Sequence, residues 1–350
     1  MTIDRVVPPL LSSAVPMRCS LFAVVARRAS LLLLATLLLF GVGCAFPDAY
    51  QVRMNLSVAP PRADVAWSQS AFVGFGGIQL YEQSWRPKTR ARAAVIIVHG
   101  LKDHSDRYAA AATRLVAEGY AVHAFDLRGH GRSAGPRVDV DDFGDYVADL
   151  AIFVDRVRAR EPNRPIFLFG HSMGGEIATL YTIAKKPDLR GLVLSGAALK
   201  PGQSLSRSRI ATTKVLAVLW PELPVLDFDL EQFSRDPAVV AEGKKDPLVF
   251  QDSGPARTAA ALLRGLERVQ NSMDEVSAPL LILHGGADKV TDPAGSRQLN
   301  ERARSSDKTL IVYEGLYHDL LHEPEKARVL GDVVKWLNAR AGAPATSAAN

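Results

Sequence analysis

The sequence predicts an α/β protein: a mostly parallel, doubly wound sheet covered by helices on both faces, with a helical lid inserted late in the chain. Three observations predict it. Runs such as Ala94-Val95-Ile96-Ile97-Val98 and Leu192-Val193-Leu194 are apolar throughout, the pattern of strands buried on both faces. Helical stretches alternate with them, as the crossovers of a parallel sheet require. The alternation breaks between about 198 and 276, a stretch too long for a plain loop.

The elements follow in order. Phe72 to Trp85 reads as an early antiparallel hairpin. The strand ending at Val98 is closed by His99-Gly100, and a helix over Tyr108 to Glu118 stops at Gly119. Tyr120 to Phe125 is a strand, Asp142 to Arg160 a helix halted before Pro162, Pro165 to Phe169 a strand and Met173 to Lys185 a helix. Leu192 to Ser195 is the last strand before the insert. Inside the insert, Lys214 to Trp220 and Thr258 to Val269 are helix-like, and the whole (198–276) reads as a lid over the sheet's carboxyl edge. Beyond it come a strand over Pro279 to His284, a helix over Pro293 to Arg304, a strand over Thr309 to Tyr313, a helix over Glu325 to Arg340, and a frayed tail from Ala341.

Composition is that of an ordinary globular chain: 350 residues, 47% hydrophobic and 23% charged. Of the net charge of +5, most sits in residues 1–43, which carry Arg5, Arg18, Arg27 and Arg28 against Asp4. The body has no basic stripe interleaved with aromatics, which argues against nucleic-acid binding. The two cysteines, Cys19 and Cys44, precede the body, so it contains neither a disulfide nor a thiolate metal site. Arg27-Arg28, the apolar run to Phe40 and Gly41-Val42-Gly43-Cys44 have the parts of a secretory signal. Cys44 after Gly43 resembles the lipidation site of a bacterial lipoprotein signal, although Gly41 stands where a branched aliphatic is usual. An uncleaved N-terminal anchor or a plain secretory signal is the alternative, and Met17 is a second candidate start. The lipoprotein and anchor readings both place the protein at a membrane of the bacterial cell envelope, tethered by residues 44–66.

The chemistry is carried by Gly170-His171-Ser172-Met173-Gly174, set between a strand and a helix. A sharp strand-to-helix turn exposes a serine Oγ, and the glycines leave room where a Cβ would clash. The new helix aims its positive end at the site, and the Met173 amide is placed to donate to an oxyanion. A serine hydroxyl needs a base, and the base an orienting acid. Asp288 and His318 close successive strands at their carboxyl ends, in the chain order Ser, acid, His. Asp292 is the rival acid, read instead as a helix cap; His322 is the rival base, read as lying on the wrong face. The Leu101 amide, after the strand ending in His99-Gly100, is the second oxyanion donor, and His99 is read as structural. The mechanism requires no metal or organic cofactor.

On these residues the chain resembles the monoacylglycerol lipase-like α/β hydrolases, whose bacterial members are often labelled lysophospholipases. The motifs are His99 to Tyr108, Asp126-Leu127-Arg128-Gly129-His130-Gly131-Arg132-Ser133, Gly170 to Gly175, Ser234-Arg235-Asp236-Pro237 and Lys245-Asp246-Pro247-Leu248 in the lid, His284 to Asp288, and Tyr313 to His318. The resemblance spans about 72–339. It implies the α/β-hydrolase fold, Ser172, Asp288 and His318 as triad, Leu101 and Met173 as oxyanion amides, and a lid admitting one acyl chain. It implies that Asp103 and Arg107 line the polar end of the pocket, a surface ion pair being the alternative, with His171 among the substrate-binding residues. The family's second histidine, three residues after the catalytic one, is here Leu321.

The expected activity is hydrolysis of monoacylglycerol or lysophospholipid esters at a membrane surface. The alternatives are a peptidase or acyltransferase on the same site, and a non-enzymatic lipid-binding relic. Val215, Leu216, Val218, Leu219 and Trp220 form an apolar lid face, for which burial against the domain is the first expectation and contact with a bilayer or fatty substrate the second. Oligomeric state is not legible.

Overall fold

The computed structural model describes residues 65–202 and 206–342. The signal-like leader, Cys19, Cys44 and nearly all of the expected tether lie outside them. Strand β1 (Val65–Val73) begins two residues inside the stretch read as tether.

The remaining elements are β2 (Gln79–Pro87), β3 (Ala93–Val98), α1 (Ala109–Ala117), β4 (Tyr120–Phe125), α2 (Gly144–Arg160), β5 (Ile166–His171), α3 (Met173–Lys185) and β6 (Gly191–Ser195). Helix α4 (Arg207–Leu219), β7 (Pro224–Leu226), α5 (Pro237–Lys245), β8 (Gly254–Pro255) and α6 (Ala256–Ser272) make up the insert. Strand β9 (Leu280–Gly285), α7 (Pro293–Arg302), β10 (Lys308–Tyr313) and α8 (Lys326–Asn338) complete the chain.

Eight strands form one sheet in the order β1-β2-β4-β3-β5-β6-β9-β10. The β1–β2 and β2–β4 pairs are antiparallel, and every other pair in this sheet is parallel. The inner strands β3, β5, β6 and β9 are buried along their whole length and largely apolar because both faces are covered, whereas β1 is mostly exposed and β2 carries Glu82, Gln83 and Ser84. Along β3, Ala94, Ile96 and Val98 pack with α2, α3 and α6, while Ala93, Val95 and Ile97 pack with α1 and α8 on the opposite face. Alternation of side chains along a strand thus feeds two separate cores.

From β3 the chain crosses to β4 on one side and then returns to β5 on the other. That reversal opens a crevice at the carboxyl ends of β3 and β5, where open α/β sheets place their ligands.

The insert differs from its expectation in two ways. It holds a third helix, α5, begun by the cap of Asp236 on the Ala238 amide with Pro237 in the first turn, the same start signal as Asp292 with Pro293. The apolar face of α4 is not buried: Val215, Val218, Leu219 and Trp220 are 55%, 79%, 58% and 59% exposed, and no residue of this helix is buried. The helix packs on α6, but its apolar stripe turns outward. At the carboxyl end, Ala341, expected in a frayed tail, is buried and donates its amide to Leu337 O.

Candidate active site

Ser172 sits between β5 and α3 with φ 53° and ψ −122°, a backbone conformation that L-residues seldom adopt. Neighbouring bonds hold it there: its amide donates to Ser195 O (3.0 Å), and its carbonyl accepts from Ala198 N (3.0 Å). The turn is tight enough that a Cβ at Gly174 would overlap Val98 O and His99 O, so the next strand passes directly beneath. Gly100 packs against Ser172 from the other side; a Cβ there would lie 3.0 Å from that of Ser172. The Leu101 and Met173 amides therefore belong to the two segments flanking the hydroxyl.

His318 follows β10 and is completely buried. Its Nδ1 donates to Asp288 Oδ2 at 2.8 Å, which fixes the tautomer and leaves Nε2 to accept from Ser172 Oγ, also at 2.8 Å. The three side chains, 146 residues apart at the extremes, meet in hydrogen-bonded series. Asp288 is held by more than His318. Its Oδ1 accepts from the Val290 and Thr291 amides (2.8 and 3.0 Å), and its Oδ2 from Thr291 Oγ1 (2.9 Å) and His284 Nε2 (3.1 Å). His284 is oriented in turn by Ser296 Oγ on Nδ1 (2.7 Å). Burial alone would raise the Asp288 pKa, but His318 and His284 hold it well below the usual carboxylate range. Burial would likewise depress His318, yet the facing Asp288 carboxylate raises it above 6.5.

The rivals are placed elsewhere. Asp292 caps α7 through the Ala294 amide and pairs with Lys200 (3.0 Å). His322 bonds to Asp319 Oδ1 (2.8 Å) and Arg107 O (2.9 Å), away from Ser172. His99 is buried, accepts from the Leu127 amide through Nε2 and donates Nδ1 to Gly100 O, which braces the turn before Leu101.

A cavity of about 240 Å³ opens on Ser172, lined by Gly100, Leu101, Asp103, Arg107, His171 and the lid residues around Phe228, Phe233 and Phe250. Asp103 and Arg107 are an inward-facing pair at 3.1 Å, not a surface one. Arg107 also holds Asp319 (2.9 Å), and Tyr108 OH donates to Asp103 (3.0 Å). His171 bonds Ser195 O through Nδ1, and its ring lies 4.9 Å from that of His318. Burial pushes the His171 pKa down to about 4, with His318 adding to the effect, so the ring facing the cavity is neutral near pH 7.

The family profile described as serine aminopeptidase, S33 matches residues 89–325 of this chain, from just before β3 to just beyond the loop that carries His318. The chain is a monoacylglycerol lipase-like α/β hydrolase of that family. It is similar to monoacylglycerol lipase of Mycolicibacterium smegmatis, with 39% identity over 77% of this chain and 96% of the relative. It is similar to human monoglyceride lipase, with 34% identity over 79% and 92% respectively. Among solved structures it resembles Paleococcus ferrophilus monoacylglycerol lipase at 32% identity, with a TM-score of 0.67 over 75% of this chain and 99% of that one.

Within this lipase-like hydrolase, sequence reasoning missed three contributors. Asp319, next to His318, clamps Arg107 and donates its amide to Phe233 O of the lid (2.8 Å). His284 braces Asp288, and its signal was its spacing of four residues from that carboxylate at a strand end. Lys102, next to Leu101, turns its side chain into the cavity.

Proposed function

We propose that this hydrolase cleaves the carboxylic ester of single-chain acyl lipids, monoacylglycerols or lysophospholipids, through an acyl-enzyme on Ser172. The observation that carries it is the position of His318, with one nitrogen on Asp288 and the other on Ser172 Oγ. As Oγ attacks the ester carbonyl carbon, His318 Nε2 takes its proton and the carbonyl π pair moves onto oxygen. The Leu101 and Met173 amides receive that oxyanion; one such donor contributes about 2.7–4 kcal/mol to the transition state. Collapse expels the alcohol, protonated by His318. A water that gives its proton to Nε2 then attacks the acyl carbon, Oγ leaves and recovers the proton, and the fatty acid departs.

The substrate class is supported by the names of the relatives and by the cavity wall, in which Leu101, Phe228, Leu230, Phe233, Val240 and Val249 suit an acyl chain. A peptide substrate with a free amino terminus calls for an uncommitted carboxylate. Asp103 and Asp319, the inner acids, are both taken by Arg107, which favours the ester. The leader ending at Cys44 and the bare lid face of Val215, Val218, Leu219 and Trp220 support attachment to the bacterial cell envelope, where lipid ester and active site share one surface.

Ser172→Ala should cut hydrolysis of a p-nitrophenyl acyl ester by at least about 10⁴-fold. Full activity in that variant, or no labelling of Ser172 by a fluorophosphonate, overturns the mechanism. Recovery of the full-length protein in the soluble fraction of cells overturns the attachment.

A further inference from the structure

We infer that Lys102 reads a phosphate on the alcohol portion of the substrate, so that this site selects anionic lysophospholipids over neutral monoacylglycerols; the inference rests on the ester-hydrolase reading above.

Four observations point to it. Lys102 directly follows Leu101 and lines the same cavity as Ser172. Its φ of 62° lies in the left-handed region that favours glycine, so a long cationic side chain is kept where the backbone would rest more easily without one. The side chain is only 8% exposed, yet its facing carboxylate oxygen, Asp227 Oδ1, is 3.6 Å away on a residue 72% exposed at the rim. The other walls near Nζ are the rings of Phe228 and Phe250, at 6.0 and 5.9 Å.

A buried ammonium with three donors and so little acceptance is costly unless something completes its shell. Burial pulls its pKa below the ordinary lysine value, against the opposing pull of Asp227 and of Asp252. The other inner charges cancel among themselves: Arg107 is neutralised by Asp103 and Asp319, and His322 sits on Asp319. Of the other charged residues lining the cavity, Lys244 pairs with Glu231 and Asp229 is exposed, so Lys102 is the buried cation of the wall that keeps only a rim carboxylate at 3.6 Å.

A phosphate offers several anionic acceptor oxygens to a point charge of this kind. In a lysophospholipid it lies a few bonds from the scissile ester, within the sweep of a four-carbon stem anchored one residue from Leu101. On binding, the phosphate takes the place of Asp227 as counter-ion. Hydrolysis breaks the acyl C–O bond and releases the fatty acid and the phosphorylated glycerol, with water as the second reactant.

The test compares kcat/KM for 1-oleoylglycerol 3-phosphate with that for 1-oleoylglycerol in the same mixed micelles. The wild-type ratio should exceed one, Lys102→Met should lower it at least tenfold, and Lys102→Arg should keep most of it. Asp227→Asn, which removes the competing carboxylate, should raise the ratio, and it supplies an answer should Lys102→Met fold poorly. A wild-type ratio at or below one, an unchanged ratio in Lys102→Met, or a fall in Asp227→Asn overturns the inference. Failure of the ester-hydrolase reading looks different: neither lipid is cleaved and Ser172 takes no fluorophosphonate.

Discussion

At the scale of single residues, the pH response follows from what each imidazole faces. His318 must be neutral to accept the Ser172 proton, and Asp288 raises its pKa above 6.5. The acid limb of kcat/KM should therefore have its midpoint above 6.5, and Asp288→Asn should lower the rate by orders of magnitude by releasing the tautomer that Nδ1 holds. An acid limb well below pH 6 in the wild type would contradict this. His322 poses a different case. Both of its nitrogens face acceptors, the Asp319 carboxylate and the Arg107 carbonyl, so both must donate and the ring is an imidazolium. Burial would depress its pKa, but Asp319 raises it, against the opposing charge of Arg107. His322 bonds neither Ser172 nor His318. It works from behind, on the residues that shape the polar end of the pocket. His322→Gln should raise KM several-fold more than it lowers kcat, measured on one lipid ester across pH 6–9.

At the scale of elements, the strand–turn–helix around Ser172 was legible because the geometry admits few residue types. Gly174→Ala should drive a methyl into Val98 O and His99 O and abolish most activity together with stability, read by Tm. The parallel inner strands were legible for a similar reason, since burial on both faces leaves few polar positions to blur the pattern; most of β1, mixed in composition and largely exposed, lies ahead of the Phe72 start read for the hairpin. The lid was less so. Helix α5 buries only Gly243, so it lacks the apolar stripe that marks a helix, and its Asp236-Pro237 start was the remaining signal. The stripe of α4 was visible, but a stripe alone does not say whether it faces protein or not.

Another element contact was invisible in the sequence. Glu176, on the first turn of α3, is completely buried with neither carboxyl oxygen hydrogen-bonded, and Gly265 of α6 lies against it. Burial raises its pKa well above 4.5, so the folded protein holds it as the neutral acid. Its raised value means that stability is fully present below the unfolded value and declines as pH rises toward the folded one. Glu176→Gln should flatten that decline in a Tm-against-pH series, and an unaltered slope would count against a neutral Glu176.

At the scale of the whole molecule, two cores clamp one sheet, and the lid adds an outward apolar face on α4. If that face meets a bilayer, Val218→Asp should reduce hydrolysis of vesicle-embedded lipid ester at least fivefold more than hydrolysis of a water-soluble short-chain ester. Equal effects on both would place the face elsewhere. The lid is also tied to the chemistry beneath it: Phe233 accepts the Asp319 amide through its carbonyl and sets its ring edge-on to His318, 5.2 Å between centroids. Whatever displaces Phe233 to admit a guest also strips the imidazole of a neighbour and slackens the chain one residue away. Admission and proton transfer thus draw on the same few atoms, so a variant with a permanently open doorway would fill readily and turn over poorly.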